Sequence, residues 1–443
     1  MSKEYPKLLI ADKSNNVYDV PGLEATGMKG SDFFRLGKND LIKLHPDSEL
    51  FMLPDRRPVG YDRENNRLAE LDLNPFMKKD EPCYAVAAFL APGYTSTYSA
   101  SYRPRKNARL LPLFSYTAVA FYKGDFYAAG VRVDGEKRQE LSGMDLRLVE
   151  RNVKAFRKIF PDNRLVRHLE RCALCYGCPA AKNFFLKRYE GPLPISPTCN
   201  ARCVGCISYQ PGKGCSVTQP RITFVPTPEE IAEVALAHIR EVKDPVVSFG
   251  QGCEGEPLMA GDVIEKAVKL IRRSTSKGVI NLNTNASRPK VIRRLFDNGL
   301  DSIRVSLNSA RKKYYLAYYK PKGYKFEDVL ASIRCAKKAG GFVSINYLTM
   351  PGFTDSKGEI DAFFRFIGRT NADMVQWRNL NYDPLAYFRS LRVNVKREEM
   401  MGVNALIHSV EKEFPGVMKG YFNPSAGRIR RFKRKKEKGP KKR

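Results

Sequence analysis

The stretch Cys199-Asn-Ala-Arg-Cys203-Val-Gly-Cys206 places three cysteines on one short loop with the spacing C-x3-C-x2-C. It comes directly after an apolar segment, 193–196, that we predict to be a strand. Three thiolates on such a loop can hold three corners of a 4Fe–4S cube and leave one iron without a protein ligand. A small molecule can chelate that open iron. The alternative is a zinc loop whose fourth ligand lies elsewhere in the chain.

Downstream of this loop, short apolar segments alternate with amphipathic helical stretches. Counting 193–196 as the first, we predict six strands, each followed by a helix; the later strands lie at 246–249, 279–282, 303–307, 342–348 and 374–380. Repeated βα units require parallel strands with right-handed crossovers. The pattern predicts an α/β fold, either an open doubly wound sheet or an incomplete barrel. In both, functional residues gather at the carboxyl ends of the strands.

The residues at those strand ends, together with the cysteine loop, resemble the signature of the radical S-adenosylmethionine superfamily. Gly255-Glu256-Pro257 follows the second strand and resembles the superfamily's glycine–glutamate–proline motif, although Glu254 stands where the motif usually has a preceding glycine. In relatives this segment meets the amino group of S-adenosylmethionine, a task suited to backbone carbonyls and a carboxylate facing a cation.

The third and fourth strands extend the resemblance. Thr284 and Asn285 end the third strand, where relatives often carry Thr-Asn-Gly. Ser306 and Asn308 are two residues apart, therefore on one strand face, and resemble a polar position that contacts ribose or the methionine carboxylate. The resemblance covers about residues 191 to 397 and implies a partial (β/α)6 barrel. It implies that S-adenosylmethionine is bound by Gly255, Glu256, Pro257, Thr284, Asn285, Ser306 and Asn308.

The resemblance also implies an activity. A reduced 4Fe–4S cluster on Cys199, Cys203 and Cys206 would cleave S-adenosylmethionine, and the resulting 5′-deoxyadenosyl radical would abstract hydrogen from a substrate. The cofactors carry this chemistry, whereas the barrel orients them and excludes water. A one-electron donor such as a flavodoxin or a ferredoxin is the expected protein partner.

A second cysteine group lies upstream, in Cys172-Ala-Leu-Cys175-Tyr-Gly-Cys178-Pro179. Its C-x2-C-x2-C spacing and trailing proline resemble half of a ferredoxin-type binding run, which predicts an auxiliary iron–sulfur cluster. A structural zinc and free structural thiols are the alternatives. A closed site needs a fourth ligand, and we expect Cys83 ahead of the other candidates, Cys215 and Cys253.

The remaining thiols and imidazoles have weaker patterns. Cys253 lies two residues before Gly255, where we expect packing, with a catalytic thiol as the alternative. None of the four histidines has metal-ligand spacing, so we expect ordinary surface or packing positions for His45, His168, His238 and His408.

Composition shifts predict the domain organisation. Residues 1–165 form a β-rich or α+β domain with a hairpin of segments 116–122 and 126–133; a helical stretch at 148–169 has a break at Pro161. The other predicted units are a cysteine-rich segment at 166–190, the barrel at 191–397, a C-terminal helix at 398–427 and a basic tail at 428–443.

Charge points to a polyanionic partner. Lys and Arg number 77 against 47 Asp and Glu in 443 residues, a net charge of +30. The tail holds eleven of these cations and one Glu, so we expect it to be disordered when free and either to contact phosphates or to be merely solvated. Interleaved tyrosines and lysines at 314–325 could stack on unpaired bases or cover a helix.

We predict a cytoplasmic protein, because the longest apolar run, 84–91, is far shorter than the roughly 20 residues of a membrane span and the first residues hold no hydrophobic signal core. The function that we predict is a radical S-adenosylmethionine enzyme that modifies a large substrate, with RNA favoured on charge. The alternatives are a peptide- or protein-modifying enzyme of the same superfamily, and a non-catalytic zinc or iron–sulfur protein that binds nucleic acid.

Overall fold

The computed structural model describes residues 5–77, 80–212 and 214–437, with side chains to residue 434. Within this part of the chain, no helix is both long and apolar enough to cross a bilayer.

The N-terminal region is rich in β-structure, as its aromatic and β-branched segments predict. Its strands, β1 to β15, are Lys7–Ala11, Val17–Glu24, Thr26–Lys29, Asp32–Arg35, Ile42–Lys43, Glu49–Met52, Arg56–Asp62, Arg67–Glu70, Tyr84–Phe89, Tyr94–Ser96, Ser99–Ala100, Tyr102–Pro104, Val119–Tyr122, Asp125–Ala128 and Gly130–Arg132. The main path of its largest sheet runs β12-β7-β2-β1-β13-β14-β5. The predicted hairpin is present as the antiparallel pair β13 and β14.

Three helices connect this domain to the cysteine loop: α1 Leu146–Ile159, α2 Arg164–Leu174 and α3 Pro179–Phe185. The predicted break at Pro161 is present, because α1 ends before it and α2 begins after it. Asn163 caps α2 by accepting a hydrogen bond from the Val166 N–H at 2.9 Å. The second cysteine group therefore spans the end of α2 and the start of α3.

The C-terminal half contains a parallel sheet. Its strands, β16 to β22, are Glu190–Leu193, Val246–Phe249, Val279–Thr284, Ser302–Leu307, Phe342–Thr349, Met374–Asn379 and Met418–Gly420. The helices α4 to α12 are Pro228–Glu241, Gly261–Ser274, Pro289–Asp297, Lys312–Tyr319, Phe326–Lys338, Lys357–Thr370, Pro384–Leu391, Val403–Glu413 and Ala426–Glu437. The spatial order of the strands equals their chain order, which confirms the predicted βα repeat of a partial barrel; β22 adds a seventh, three-residue strand.

The N-terminal domain packs against the carboxyl ends of β20 and β21. Thr95 donates a hydrogen bond to the Trp377 carbonyl at 2.8 Å, and the Gly30 N–H donates to the Pro351 carbonyl at 3.1 Å. Arg56 and Asp383 form an ion pair of 3.0 Å across the contact, with side chains only 3% and 2% exposed. The two halves are therefore joined by polar contacts removed from water.

The basic tail differs from its expected disorder. Residues up to 437 belong to α12, and 438–443 lie outside the described residues. Arg428 pairs with Asp134 at 2.9 Å, and the Phe432 ring packs on Phe342 with centroids 5.7 Å apart. Phe342 begins β20, so α12 lies at the amino-terminal end of the sheet. Apolar residues within the basic run make this packing possible.

Candidate functional site

The three cysteines of the 199–206 loop line one cavity of about 290 Å³ at the carboxyl ends of the strands. Helix α7 supports the loop, because the N–H groups of Arg202 and Val204 both donate at 2.9 Å to carbonyls of that helix, Tyr319 and Tyr318. Six of the seven residues expected to bind the cosubstrate line the same cavity: Gly255, Glu256, Pro257, Thr284, Asn285 and Ser306.

Asn308 lies outside this cavity. Its amide donates to the Tyr387 hydroxyl at 3.2 Å and to the Tyr314 carbonyl at 3.3 Å, and the residue is fully buried. The strand β19 ends at Leu307, so the alternation that places Ser306 in the cavity does not extend to Asn308.

The thiols of the loop lie in a poorly hydrated environment. Burial raises the pKa of Cys199 to about 11, with a further contribution from Glu256. Burial, together with the neighbouring Cys206 and Cys199, raises the pKa of Cys203 well above its ordinary value. A metal must therefore displace these protons to bind. Three thiols gathered on one loop beside open space fit a 4Fe–4S cube with one iron left for a small-molecule ligand.

The Gly255 segment lies directly against the chain between strand β16 and the cysteine loop. The N–H of Gly255 donates to the Ser196 carbonyl at 2.6 Å, and that of Glu256 donates to the Thr198 carbonyl at 2.8 Å. A Cβ on residue 255 would overlap the Thr198 carbonyl oxygen. Glycine is therefore required at this position by close backbone approach.

Glu254, the departure from the superfamily motif, organises the loop from inside. One carboxylate oxygen accepts from the N–H groups of Ile195 and Ser196 at 2.9 and 3.0 Å. The other accepts from Gly250 and Gln251 at 2.8 and 2.6 Å. Burial nevertheless raises the pKa of Glu254 to about 7. This carboxylate ties the segment that follows strand β16 to the loop after β17.

Glu256 joins the ends of β17 and β18. Its carboxylate accepts hydrogen bonds from the Thr284 hydroxyl and from the N–H groups of Leu258 and Asn285. Burial raises its pKa to about 7. Among the described residues, no Lys or Arg lies within ion-pair distance of it, although the charge of Arg288 acts to lower its pKa. A cation entering the cavity would therefore meet a buried carboxylate that has no ion-pair partner within the described part of the chain.

The cavity also contains polar groups that the sequence did not single out. Arg304 Nε and Asn346 Oδ1 line it, both buried without a hydrogen-bond partner. Burial, with a smaller effect of Arg378, lowers the pKa of Arg304 to about 10. Arg221 reaches the Cys206 sulfur at 3.5 Å. The sequence held one indication for Arg304, which is that it lies two residues before Ser306 on the same strand, β19.

The second cysteine group meets a histidine of its own helix α2 and a cysteine of a distant loop. His168 Nε2 lies 3.5 Å from Cys172 Sγ and 3.3 Å from Cys253 Sγ. All three ligand atoms are within 4.8 Å of one another. Of the thiols in the 172–178 turn, Cys178 is half-buried and Cys175 is exposed. The spacing of His168 and Cys172 by four residues on one helix is the signal that the sequence offered.

The other candidate fourth ligands lie elsewhere. Cys83, the first choice from sequence, is fully buried among Leu8, Ile10 and Val20 of the N-terminal domain, and its thiol donates to the Leu71 carbonyl at 3.5 Å. Cys215 donates to the Leu111 carbonyl at 3.7 Å. The structure brings neither of them to His168 and Cys172, whereas it does bring Cys253.

The basic residues of the tail lie far from the cysteine cavity. A larger cavity, of about 1040 Å³, opens where β17 to β20 begin, and its cationic lining comprises Arg240, Lys243, Lys277, Arg430, Arg431 and Lys433. In the 314–325 stretch, Tyr315, Tyr318 and Tyr319 are buried, at 0%, 3% and 3% exposed. These three tyrosines therefore pack between helix α7 and the rest of the protein and are not exposed for stacking on bases.

Comparisons with known proteins find similarity over part of the chain. Residues 193–366 match the model of the radical SAM superfamily. Among solved structures, a radical SAM methyltransferase from Sphaerobacter thermophilus is 15% identical over 46% of this chain, with a TM-score of 0.35. The match covers 63% of the methyltransferase's own length. The FeFe-hydrogenase maturase HydG from Carboxydothermus hydrogenoformans is 14% identical, with coverage of 61% of this chain and 68% of that chain and a TM-score of 0.37.

Proposed function

Since the chain is an enzyme with a radical SAM domain at residues 193–366, we propose that it cleaves S-adenosylmethionine reductively and modifies RNA. The observation that carries the proposal is one cavity lined by the thiols of Cys199, Cys203 and Cys206 together with the carboxylate of Glu256. When bound, a reduced 4Fe–4S cluster with S-adenosylmethionine supplies a 5′-deoxyadenosyl radical, which abstracts hydrogen from the substrate.

The residues of the chain bind and orient the cosubstrate. Cys199, Cys203 and Cys206 would hold the cluster through their thiolates. Glu256 would face the ammonium group, because its buried carboxylate has no ion-pair partner among the described residues. The backbone and polar side chains of Gly255, Pro257, Thr284, Asn285 and Ser306 complete the wall of the cavity.

RNA as the substrate is supported by charge. The net charge of +30 favours a polyanion, and the cavity itself contains Arg221 and Arg304. The unpaired Nε of Arg304 can donate to a phosphate or carbonyl oxygen of the substrate. We place this reaction in the cytoplasm, where a flavodoxin or ferredoxin can deliver the electron and the thiols of the 172–178 turn stay reduced and able to bind a second metal centre.

Anaerobic reconstitution with iron and sulfide, followed by dithionite and S-adenosylmethionine, tests the cleavage. We expect 5′-deoxyadenosine from the natural chain and from Cys335→Ser, a thiol on the outer helix α8, and none from Cys203→Ala. Full iron loading of the natural chain without 5′-deoxyadenosine would favour the non-catalytic binding protein.

Crosslinking in cells, with and without ribonuclease, tests the substrate. Recovery of bound RNA and an affinity that falls steeply with salt support RNA. Crosslinked partners that survive ribonuclease, with an affinity insensitive to salt, would instead indicate a peptide or protein substrate.

A further inference from the structure

The group formed by His168, Cys172 and Cys253 has the spacing of ligands to one ion. In a tetrahedral site, a zinc–sulfur distance of about 2.3 Å and a zinc–nitrogen distance of about 2.0 Å place sulfur and nitrogen ligands about 3.5 Å apart. The two observed sulfur–nitrogen distances are 3.5 and 3.3 Å. The side chains of Cys172 and Cys253 are 2% and 3% exposed, so a bound ion would be shielded from water.

An iron–sulfur cube requires a wider spacing. Each ligand of a cube binds a different iron, so its ligands stand further apart than the ligands of one ion. The thiols of Cys199, Cys203 and Cys206, which we assign to a cube, do not form a group within 4.8 Å. His168, Cys172 and Cys253 do form such a group. The two sites of this chain thus differ in the way that a cube and a single ion differ.

The 172–178 turn offers two thiols for a fourth ligand. Cys178 directly precedes helix α3 and is half-buried. Its N–H donates to the Cys172 carbonyl at 2.9 Å, which folds the turn back on Cys172. Cys175 is exposed. Cys178 Sγ lies outside the 4.8 Å group of His168, Cys172 and Cys253, so its side chain must turn toward Cys172 to become the fourth ligand, whereas the exposed Cys175 remains outside the site.

We propose that His168, Cys172, Cys178 and Cys253 bind one zinc-class divalent ion, in place of the auxiliary iron–sulfur cluster that the cysteine spacing alone favours. Three thiolates and one imidazole in a tetrahedron are a set that zinc prefers. Binding of the ion does not depend on the proposed function; only the ion's effect on the cosubstrate cavity rests on that function.

The ion would connect helix α2 to the wall of the cosubstrate cavity. Cys253 is adjacent to Glu254, whose carboxylate gathers the loop, and precedes Gly255 by two residues. The Cys253 carbonyl also accepts from the Ile222 N–H at 2.8 Å. An ion bound by Cys253 would therefore fix the start of the loop that carries Glu256. Cys253 would then act as a positioning residue for the cavity.

The test uses the full chain with Cys199, Cys203 and Cys206 all replaced by Ala, so that the second site is the one measured. After purification and anaerobic reconstitution, we expect about one zinc per chain by elemental analysis. X-ray absorption at the zinc edge should show three sulfur neighbours and one nitrogen neighbour. About four irons per chain with the absorbance of a cluster, four sulfur neighbours, or no bound metal would each overturn the proposal.

Single changes in this background assign the ligands. His168→Ala and Cys253→Ser should lose zinc, whereas the matched change Cys175→Ser within the same turn should retain it. Circular dichroism checks that each variant folds. If a ligand variant does not fold, the X-ray absorption spectrum of the chain that lacks only the three loop cysteines still identifies the ligands of the ion. Zinc present in a natural chain that makes no 5′-deoxyadenosine would reject the proposed function and leave this inference standing.

Discussion

Glu256 accepts a hydrogen bond of 2.8 Å from the backbone N–H of Asn285, and this contact joins the ends of two neighbouring parallel strands. The same carboxylate bonds the Thr284 hydroxyl. One side chain thus sets the local geometry of the cavity wall and presents its negative charge to the cavity.

Glu256→Gln should weaken S-adenosylmethionine binding about 10- to 100-fold, because a hydrogen bond to a charged group contributes about 1.5–3 kcal/mol. Anaerobic titration calorimetry on the reconstituted chain measures the dissociation constant. Glu265→Gln, on the outer helix α5 where Glu265 pairs with Lys269 at 2.8 Å, is the control. Equal affinities for the two variants would refute the role of Glu256.

Gly255→Ala should abolish 5′-deoxyadenosine formation, because the added Cβ would overlap the Thr198 carbonyl and push the loop away from the cysteines. Gly368→Ala is the matched control: Gly368 lies in helix α9 with nothing near the added Cβ. There the change should stabilise the chain by about 0.5–1 kcal/mol. Normal product formation by Gly255→Ala would show that the close approach is unnecessary.

Arg56→Ala should lower the unfolding free energy by about 3–5 kcal/mol, because it leaves Asp383 buried without its cation. The neighbouring change Arg57→Ala breaks a more exposed pair with Glu70 and should cost less than about 1 kcal/mol. Urea unfolding of both variants gives the comparison. Similar losses in the two would mean that the buried pair does not hold the domains together.

His238 should make the stability depend on pH. Burial lowers its pKa from 6.5 to about 4, so between these values the unfolded chain binds more protons than the folded chain. The unfolding free energy is therefore expected to rise as pH increases from about 4 to 6.5, by at most about 3 kcal/mol. His238→Gln keeps a donor for the Tyr189 carbonyl and should flatten this dependence in urea titrations. An unchanged slope would contradict it.

The barrel was predictable because its signals are local. Apolar runs and capping residues fix the strands and helices; for example, a capping box at Thr227 begins α4. The first strand is an instructive error: it spans Glu190–Leu193 rather than 193–196. Ile195 and Ser196 donate their N–H groups to Glu254 instead of to a neighbouring strand. That contact involves a residue almost sixty positions away, which no local pattern reveals.

Long-range contacts also account for the other differences. His168 and Cys253 come together from distant segments, and Cys83 is taken into the apolar packing of another domain. Helix α10 and strand β22 are short elements whose position depends on neighbours already in place. The packing of Phe432 on Phe342 was not predicted, because Phe432 lies within a run of Lys and Arg that is typical of a disordered tail.

The four N–H groups gathered by Glu254 imply that the loop from Gly250 to Glu256 is preorganised before any cosubstrate arrives. A relative with glycine at that position lacks this internal anchor. In this chain the loop loses its conformational entropy during folding, so that binding of the cosubstrate costs little further entropy of the loop.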